Sequence, residues 1–196
     1  GTHMGHSRRY AQIAGWGKYV PANVLTNDDL SRMVETSDEW IRTRTGISER
    51  HLASDRESTA TMAVRAAEQA LHVANVDPAA LNLVVVATAT PDYLFPATAC
   101  LVQNALGARH AGAFDLAAGC SGFVYALSVA ADGIIAGAYD TALVIGAETL
   151  SRILNWADRA TCVLFGDGAG AVVLKASAEP CGVLATVLGA DGSGAD

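Results

Sequence analysis

The sequence predicts an α/β domain with a layered α-β-α core. Apolar, β-branched runs are typical of strands buried on both faces of a parallel sheet, and three such runs occur in order: Leu83–Thr88, Ala113–Leu116 and Ala142–Gly146. Helix-like segments, Ala97–Leu106 and Ser121–Ala136, separate the runs, so that strand and helix alternate. With 51% hydrophobic and 17% charged residues, the 196-residue chain can fill a sizeable core, which excludes an intrinsically disordered protein.

A short strand and three capped helices are predicted before the first of these runs. The strand covers Gln12–Trp16. Asn27 is expected to cap a helix that begins at the next residue, and Ser37 is expected to cap a second short helix, because both side chains accept hydrogen bonds from free backbone N–H groups. Ser58 opens a longer helix, in which alanines recur at helical spacing until Asp77–Pro78.

Two more strands are predicted near the end of the chain, at Ala171–Ala176 and Val183–Leu188. The first follows Gly166–Gly170, which together with Ala171 satisfies a GxGxxA pattern. A dinucleotide-binding fingerprint follows a strand and opens a helix, whereas these glycines lead into a strand. We therefore interpret them as a tight turn with close backbone packing.

Charge and hydropathy patterning argue against two classes of partner. Lys and Arg total 13 against 20 Asp and Glu, and the resulting net charge of −7 disfavours a nucleic-acid backbone. The longest apolar stretches, Leu83–Ala87 and Phe123–Leu127, are far shorter than the roughly 20 residues that span a bilayer. We expect a soluble protein with no nucleic-acid or membrane partner.

The cysteines indicate neither a metal site nor a disulfide framework. Cys100, Cys120, Cys162 and Cys181 contain no CxxC pair, and the chain is too large to depend on disulfides. Gly1–Met4 resemble a cloning remnant within a flexible start at residues 1–9, and no signal-peptide core follows. A cytoplasmic location is therefore expected.

The clearest candidate for chemistry is Cys120, which lies between a predicted buried strand and an apolar helix. A thiol at this position lies near the positive end of the helix dipole, which favours the nucleophilic thiolate. The free N–H groups of the first helical turn can also donate to a developing oxyanion. The alternative is that Cys120 is a small buried hydrophobe, as most free cysteines are. No histidine follows Cys120 in the sequence, so an obvious base is missing.

A second candidate is an arginine-rich segment that begins with Trp40. Eleven of the 13 basic residues are arginines, and four of them lie within fifteen positions: Arg42, Arg44, Arg50 and Arg56. Arginines beside an aromatic ring suit a phosphate and an adenine. A solvated charged face, with Trp40 as a core anchor, is the alternative.

Four segments together resemble the successive motifs of the β-ketoacyl-acyl-carrier-protein synthase III family, in that family's order and spacing. They are Ser37–Ile47, Phe95–Pro96, Asp115–Phe123 and Phe165–Gly170. The resemblance implies a thiolase-like fold of two similar halves, of which residues 10–196 are the first. It also implies an acyltransferase that condenses acyl-CoA with malonyl-acyl-carrier protein, with loss of carbon dioxide, to initiate fatty-acid synthesis.

The resemblance assigns a role to individual residues. Cys120 aligns with the family's nucleophile, and Trp40 and Arg159 with the pair that sandwiches the CoA adenine. The other aligned positions that bind CoA or the acyl group are Thr36, Arg44, Phe95 and Phe165, with Phe95 reaching the acyl pocket across a dimer interface.

The resemblance further implies a homodimer without a cofactor, since acyl-CoA is a substrate. The family's His and Asn, which promote decarboxylation, belong to a C-terminal half absent from this chain, so this part alone is expected to be inactive. Two alternatives remain open: a priming ketosynthase of a polyketide or alkylquinolone pathway, and a non-catalytic dimerisation or carrier-docking fragment.

Overall fold

The computed structural model describes residues 8–194, and within that range the chain forms seven strands and five α-helices. Gly1–Met4 and most of the predicted flexible start, residues 1–9, lie outside the described residues. The elements in chain order are β1 (Tyr10–Tyr19), β2 (Asn23–Thr26), α1 (Asn27–Ser31), α2 (Asp38–Thr45), β3 (Glu49–Leu52), α3 (Thr59–Ala74), β4 (Leu83–Ala87), α4 (Thr98–Leu106), β5 (Gly112–Leu116), α5 (Gly122–Ile135), β6 (Thr141–Thr149) and β7 (Asp167–Ser177).

Five strands form one mixed sheet in the order β1-β7-β6-β4-β5. β4 lies parallel to both neighbours, and Val85 pairs with Phe114 on one side and with Val144 on the other. β7 runs antiparallel to both β6 and β1. The sheet is therefore parallel in its β5-β4-β6 part and antiparallel in the rest. A separate antiparallel pair of strands, β2 with β3, was not anticipated from the sequence.

Helices cover both faces of the sheet, which confirms the predicted layered core. Alternate residues of β4 point to opposite faces: Val84 and Val86 pack into the cluster formed with α3 and α4, and Val85 and Ala87 into the cluster formed with α5. All four side chains are buried. The continuous apolar run of β4 reflects this two-sided burial.

Two of the three predicted helix caps are confirmed, and the third is wrong. The Ser37 hydroxyl accepts from the Trp40 N–H, and the Ser58 hydroxyl accepts from the Thr61 N–H. α1 is capped by Thr26 instead of Asn27, since Thr26 and Asp29 exchange hydrogen bonds in a capping box. The Asn27 side chain is buried, and its amide bonds residues far along the chain.

The predicted strand at Val183–Leu188 does not form. The Val183 N–H donates to the Ala11 carbonyl at the sheet edge. The chain then leaves β1 and runs along α5, where the Ser128 hydroxyl donates to the Thr186 hydroxyl. A strand needs a continuous partner ladder, and this segment has a single bond to β1.

The predicted tight turn at Gly166–Gly170 is also wrong, because β7 already includes Gly168 and Gly170. Close packing is present at Gly166, where a Cβ would lie 3.0 Å from both the Arg50 Cβ and the His51 carbonyl oxygen. As expected, these glycines open no helix, since β7 begins at Asp167 and continues past Gly170.

Within residues 8–194, none of the helices has both the length and the apolar character needed to cross a bilayer.

Candidate active site

Cys120 lies at the carboxyl end of β5, in a short turn that leads directly into α5. Gly119 begins this turn with a φ of 53°, in the left-handed region where a glycine carries no steric penalty. The Cys120 side chain is exposed. In the part of the chain that the structure describes, no side chain caps the first turn of α5. Apart from the Gly122 N–H, which donates to the Gly119 carbonyl, the N–H groups of this turn are therefore available to an oxyanion formed beside the thiol.

The other cysteines differ from Cys120 in exposure. Cys162 is buried, and Cys100 and Cys181 are half-buried. Burial raises the pKa of the Cys162 thiol, which keeps it protonated over a wider pH range. Of the four cysteines, Cys120 is thus the one that both opens a helix and meets solvent.

Asp115 on β5 caps α4, a role that the sequence analysis did not assign. Its carboxylate accepts from the N–H groups of Thr98 and Ala99, each at 2.7 Å, and so caps α4, whose own N-cap residue, Ala97, has no suitable side chain. This contact joins the start of α4 to the end of β5.

Glu148 holds the loop that carries Phe95. Its carboxylate accepts from the Ala89 N–H at 2.8 Å and from the hydroxyls of Thr88 and Thr90, just after β4 ends. Further along the same loop, Phe95 is 90% exposed and precedes a cis proline. The structure therefore anchors the base of this loop and leaves its tip, with Phe95, in solvent.

The second candidate cluster is centred on Trp40, with an arginine against its ring from each of two segments. The guanidinium carbon of Arg44, one turn along α2, lies 4.4 Å from the ring centroid, and that of Arg159 lies 5.2 Å from it. Both distances are within the range of cation–π attraction. Arg159 also donates to the Glu35 carbonyl at 2.9 Å. Trp40, Arg44 and Arg159 thus meet at one place, although Arg159 lies 119 positions after Trp40 in the sequence.

Thr36 lies beside this cluster with an unpaired group. Its hydroxyl oxygen is buried and has no hydrogen-bond partner among the described residues. An unpaired buried hydroxyl is costly, and a ligand atom would satisfy it. This orphan next to Glu35 and Arg159 is consistent with a binding position.

The remaining arginines of the predicted cluster do not join Trp40. Arg42 points back to the Asp38 carboxylate at 3.8 Å, and Arg50 is buried. Arg56 lies with α3 on the wall of a cavity of about 570 Å³ that neither Trp40 nor Cys120 lines. Of the four, Arg44 alone is placed for a ligand stacked on Trp40.

Phe165 is exposed just before β7, a few residues after Arg159.

A flat ring can enter between Trp40 and Arg159 only if Arg159 moves. Two stacked contacts of about 3.5 Å require roughly 7 Å between the two side chains, against the 5.2 Å from guanidinium carbon to ring centroid. Arg159 is exposed, so it is free to swing outward. Its bond to the Glu35 carbonyl is the contact that such a movement would stretch.

Comparisons with known proteins show which family this chain resembles. Residues 114–192, which include Cys120, Arg159 and Phe165, match the family model of 3-oxoacyl-[acyl-carrier-protein] synthase III. The chain is 62% identical over 186 residues to the β-ketoacyl-[acyl-carrier-protein] synthase III of Xylella fastidiosa strain 9a5c, covering 95% of this chain and 57% of that protein. The corresponding enzyme of Caldanaerobacter subterraneus is 54% identical over 184 residues, covering 94% and 56%.

Solved structures give the same result. The 3-oxoacyl-[acyl-carrier-protein] synthase III of Aquifex aeolicus VF5 superimposes with a TM-score of 0.83 at 55% identity, covering 84% of this chain and 53% of that one. The priming β-ketosynthase of the R1128 polyketide pathway has a TM-score of 0.86 at 41% identity, covering 89% and 52%.

These likenesses confirm the predicted thiolase-like α/β fold. The chain spans little more than half the length of the relatives that it matches. Since the family model, the relatives and the neighbouring structures agree, and the matched residues include the exposed Cys120 at its strand-to-helix turn, the chain belongs to the β-ketoacyl-acyl-carrier-protein synthase III family, of which it represents the N-terminal half.

Proposed function

We propose that residues 10–196 form the first half of an acyltransferase that condenses an acyl-CoA with malonyl-acyl-carrier protein. The observation that carries this proposal is Cys120, exposed between β5 and the uncapped first turn of α5 in a chain of this family. A nucleophile beside free backbone donors suits attack on a thioester carbonyl.

In the first half-reaction, the Cys120 thiolate attacks the acyl-CoA carbonyl carbon. A bond forms between Sγ and that carbon, the bond from the carbon to the CoA sulfur breaks, and CoA leaves as a thiolate that takes up a proton. The negative charge on the carbonyl oxygen of the intermediate is stabilised by N–H groups at the start of α5.

In the second half-reaction, the malonyl group loses carbon dioxide, and the carbanion that remains attacks the acyl-Cys120 carbonyl. A carbon–carbon bond forms, the bond to Sγ breaks, and the product is a 3-oxoacyl-acyl-carrier protein. The His and Asn that promote this step would come from a C-terminal half, since no histidine follows Cys120 here and the chain covers 57% of its relative. We therefore expect no condensation from residues 10–196 alone.

The CoA nucleotide would bind at the Trp40 cluster. Its adenine would stack between Trp40 and a displaced Arg159, while the Arg44 guanidinium is available to phosphate oxygens and the Thr36 hydroxyl gains the partner that it lacks. The acyl-CoA is consumed as a substrate, and the proposed reaction needs no separate cofactor.

A homodimer is the proposed assembly, because it would cover the Phe95 loop. Three consecutive large side chains, Tyr93, Leu94 and Phe95, are exposed there. Such a run favours burial against a partner. Phe95 of one subunit would then line the acyl pocket of the other, with Phe165 contributing from within the same subunit. The proposed location is the cytoplasm, where acyl-CoA and carrier protein are available.

A priming ketosynthase of a polyketide pathway is the second candidate, favoured by the TM-score of 0.86 with the R1128 enzyme. Both candidates use the same Cys120 chemistry and differ in the acyl group that they accept. A series of acyl-CoA substrates of increasing chain length separates them.

The test uses the complete polypeptide that contains this chain. Wild-type protein incubated with radiolabelled acetyl-CoA should acquire one acyl group per subunit and, with malonyl-acyl-carrier protein, should release carbon dioxide and 3-oxoacyl product. Cys120→Ser should abolish both signals. Cys181→Ser, a half-buried cysteine elsewhere in the chain, is the matched control and should retain them. Acylation that persists in Cys120→Ser would contradict the proposal.

A further inference from the structure

Arg50, on β3, is a buried cation held by neutral groups from two segments, residues 25–27 and Val163. It is 5% exposed. One terminal nitrogen, Nη1, donates to the Leu25 carbonyl at 3.0 Å, and Nη2 donates to the Asn27 Oδ1 at 2.9 Å and to the Val163 carbonyl at 3.2 Å. Among residues 8–194, no carboxylate lies within 4.0 Å of this guanidinium.

Asn27 connects Arg50 to the helix that carries Trp40. Its Nδ2 donates to the Asp38 carboxylate at 2.8 Å and to the Ile47 carbonyl at 2.7 Å. The orientation of the amide is set by chemistry, because Arg50 can only donate, whereas a carboxylate and a carbonyl can only accept. The charge on Arg50 is thus linked through one amide to the negative charge of Asp38.

The two ends of this network are the two segments of the Trp40 cluster. Asp38 is the first residue of α2, and Ile47 follows the end of that helix. The Asn27 amide therefore forms hydrogen bonds at both ends of α2. Val163 lies in the other segment, between Arg159 and Phe165. Arg50 therefore joins α2, with Trp40, to the segment that presents Arg159.

Stability alone explains this arginine poorly. Burying a cation costs free energy, and burial indeed holds the pKa of Arg50 below its usual value. The Nε–H of Arg50 also has no partner among the described residues. An apolar side chain at the same position would avoid both costs, but it could not bond Asn27 and Val163 at once.

We propose that Arg50 is a positioning residue, which sets the spacing between Trp40 and Arg159 through its bonds to Asn27 and Val163 and so shapes the slot for the adenine of CoA. This inference rests on the proposed acyl-CoA-dependent function. Arg50 is buried and touches no ligand itself. Its removal should therefore impair recognition of the nucleotide end of the substrate and spare the reaction at Cys120.

The experiment compares two thioesters in the complete polypeptide. Acetyl-CoA carries the adenine nucleotide, and acetyl-pantetheine has the same reactive thioester without it. Arg50→Met should lower kcat/KM for acetyl-CoA about tenfold through KM and change kcat/KM for acetyl-pantetheine less than twofold. Arg50→Lys should recover part of the loss, because an ammonium can reach some of the three acceptors but cannot span all of them.

Arg9→Met is the matched control. Arg9 donates to the carbonyls of Ile134 and Tyr139 and to the Asp140 carboxylate, at the far end of α5 from Cys120, so its loss removes arginine hydrogen bonds away from Trp40. Both thioesters should react with this variant as with wild type. If Arg50→Met does not fold, Asn27→Ala is the second variant. It interrupts the same connection but leaves the bonds from Arg50 to the carbonyls of Leu25 and Val163. It should lower the preference for acetyl-CoA over acetyl-pantetheine in the same way.

The outcomes separate the inference from the function on which it rests. A wild-type enzyme with equal kcat/KM for both thioesters would remove the proposed nucleotide site, and the inference with it. A wild-type preference for acetyl-CoA that survives in Arg50→Met and Asn27→Ala would overturn the inference alone. An equal loss of kcat/KM with both thioesters would assign Arg50 a general structural role, and this result would also overturn the inference.

Discussion

Replacing Arg159 with alanine should weaken CoA binding, by an amount that follows from the contacts of Arg159 in the free protein. The guanidinium is proposed to stack on adenine and to attract phosphate. Stacking of a cation on an aromatic ring, together with a charge-assisted hydrogen bond, contributes about 1–2 kcal/mol at a partly exposed site. Arg159→Ala loses this contribution in the complex.

Part of that loss in binding free energy is offset, because Arg159 of the wild type must break contacts of the free protein when CoA binds. In the free protein it lies 5.2 Å from the Trp40 centroid and donates to the Glu35 carbonyl. An exposed cation–π contact of this kind stabilises by about 0.5–1 kcal/mol, which the wild type loses on binding and the variant does not. The net effect is about 0.5–1 kcal/mol, or roughly a two- to fivefold rise in Kd.

Calorimetry with free CoA, which carries no acyl group to transfer, measures this change in the complete polypeptide. Arg42→Ala is the control: it removes the same charge from the neighbouring helix α2, where Arg42 faces Asp38 instead of Trp40. Arg42→Ala should leave Kd nearly unchanged, and Arg159→Lys should recover little, because an ammonium does not stack as a planar guanidinium does. Equal Kd values for Arg159→Ala and Arg42→Ala would refute the assignment.

Three other predictions concern reactivity and stability. Iodoacetamide at neutral pH should label Cys120 first and Cys162 last, because Cys162 is buried with a raised pKa; peptide mass spectrometry after a short exposure would show the order. Gly17→Ala should lower the free energy of unfolding by about 2–3 kcal/mol through overpacking, since the new Cβ would lie 2.2 Å from the Ala66 carbonyl oxygen, whereas Gly189→Ala meets no atom within 4 Å and should leave the denaturation midpoint unchanged. Asp115→Ala should cost about 1–2 kcal/mol by uncapping α4, and a denaturation curve matching wild type would show that this cap does not contribute.

The features that were predictable from sequence are those with a local cause. β4 was recognisable because burial on both faces requires an unbroken apolar run, and Ser37 and Ser58 because a cap bonds an N–H group only three residues ahead. The turn around Cys120 was recognisable for the same reason: strand, small residues, thiol and apolar helix are consecutive.

The features that were missed depend on partners distant in sequence. Thr26 and Asn27 are both good caps, and the choice between them follows from the Asn27 amide being engaged by Arg50, 23 positions later. The direction of β7 cannot be read from its pattern, because an apolar strand fits parallel and antiparallel neighbours alike. The different positions of the arginines also depend on such contacts. Arg44 lies against Trp40 within α2, whereas Arg50 is buried and bonds Val163, 113 positions later.

The surface of α5 links the proposed second half to the chemistry at Cys120. One side of this 14-residue helix packs on the sheet through Ala126, Ala130 and Ile134, while Val124 and Val129 remain exposed on the other. The segment after Val183 covers part of the helix but brings more exposed apolar side chains, including Val187. Exposed apolar side chains of this kind favour burial against a further domain. Cys120 lies in the turn that leads into the same helix, so a domain that covered this side of α5 at its start would also lie next to the thiol. A packing requirement and a catalytic one therefore point to the same place, and a C-terminal half that supplied His and Asn there would meet both.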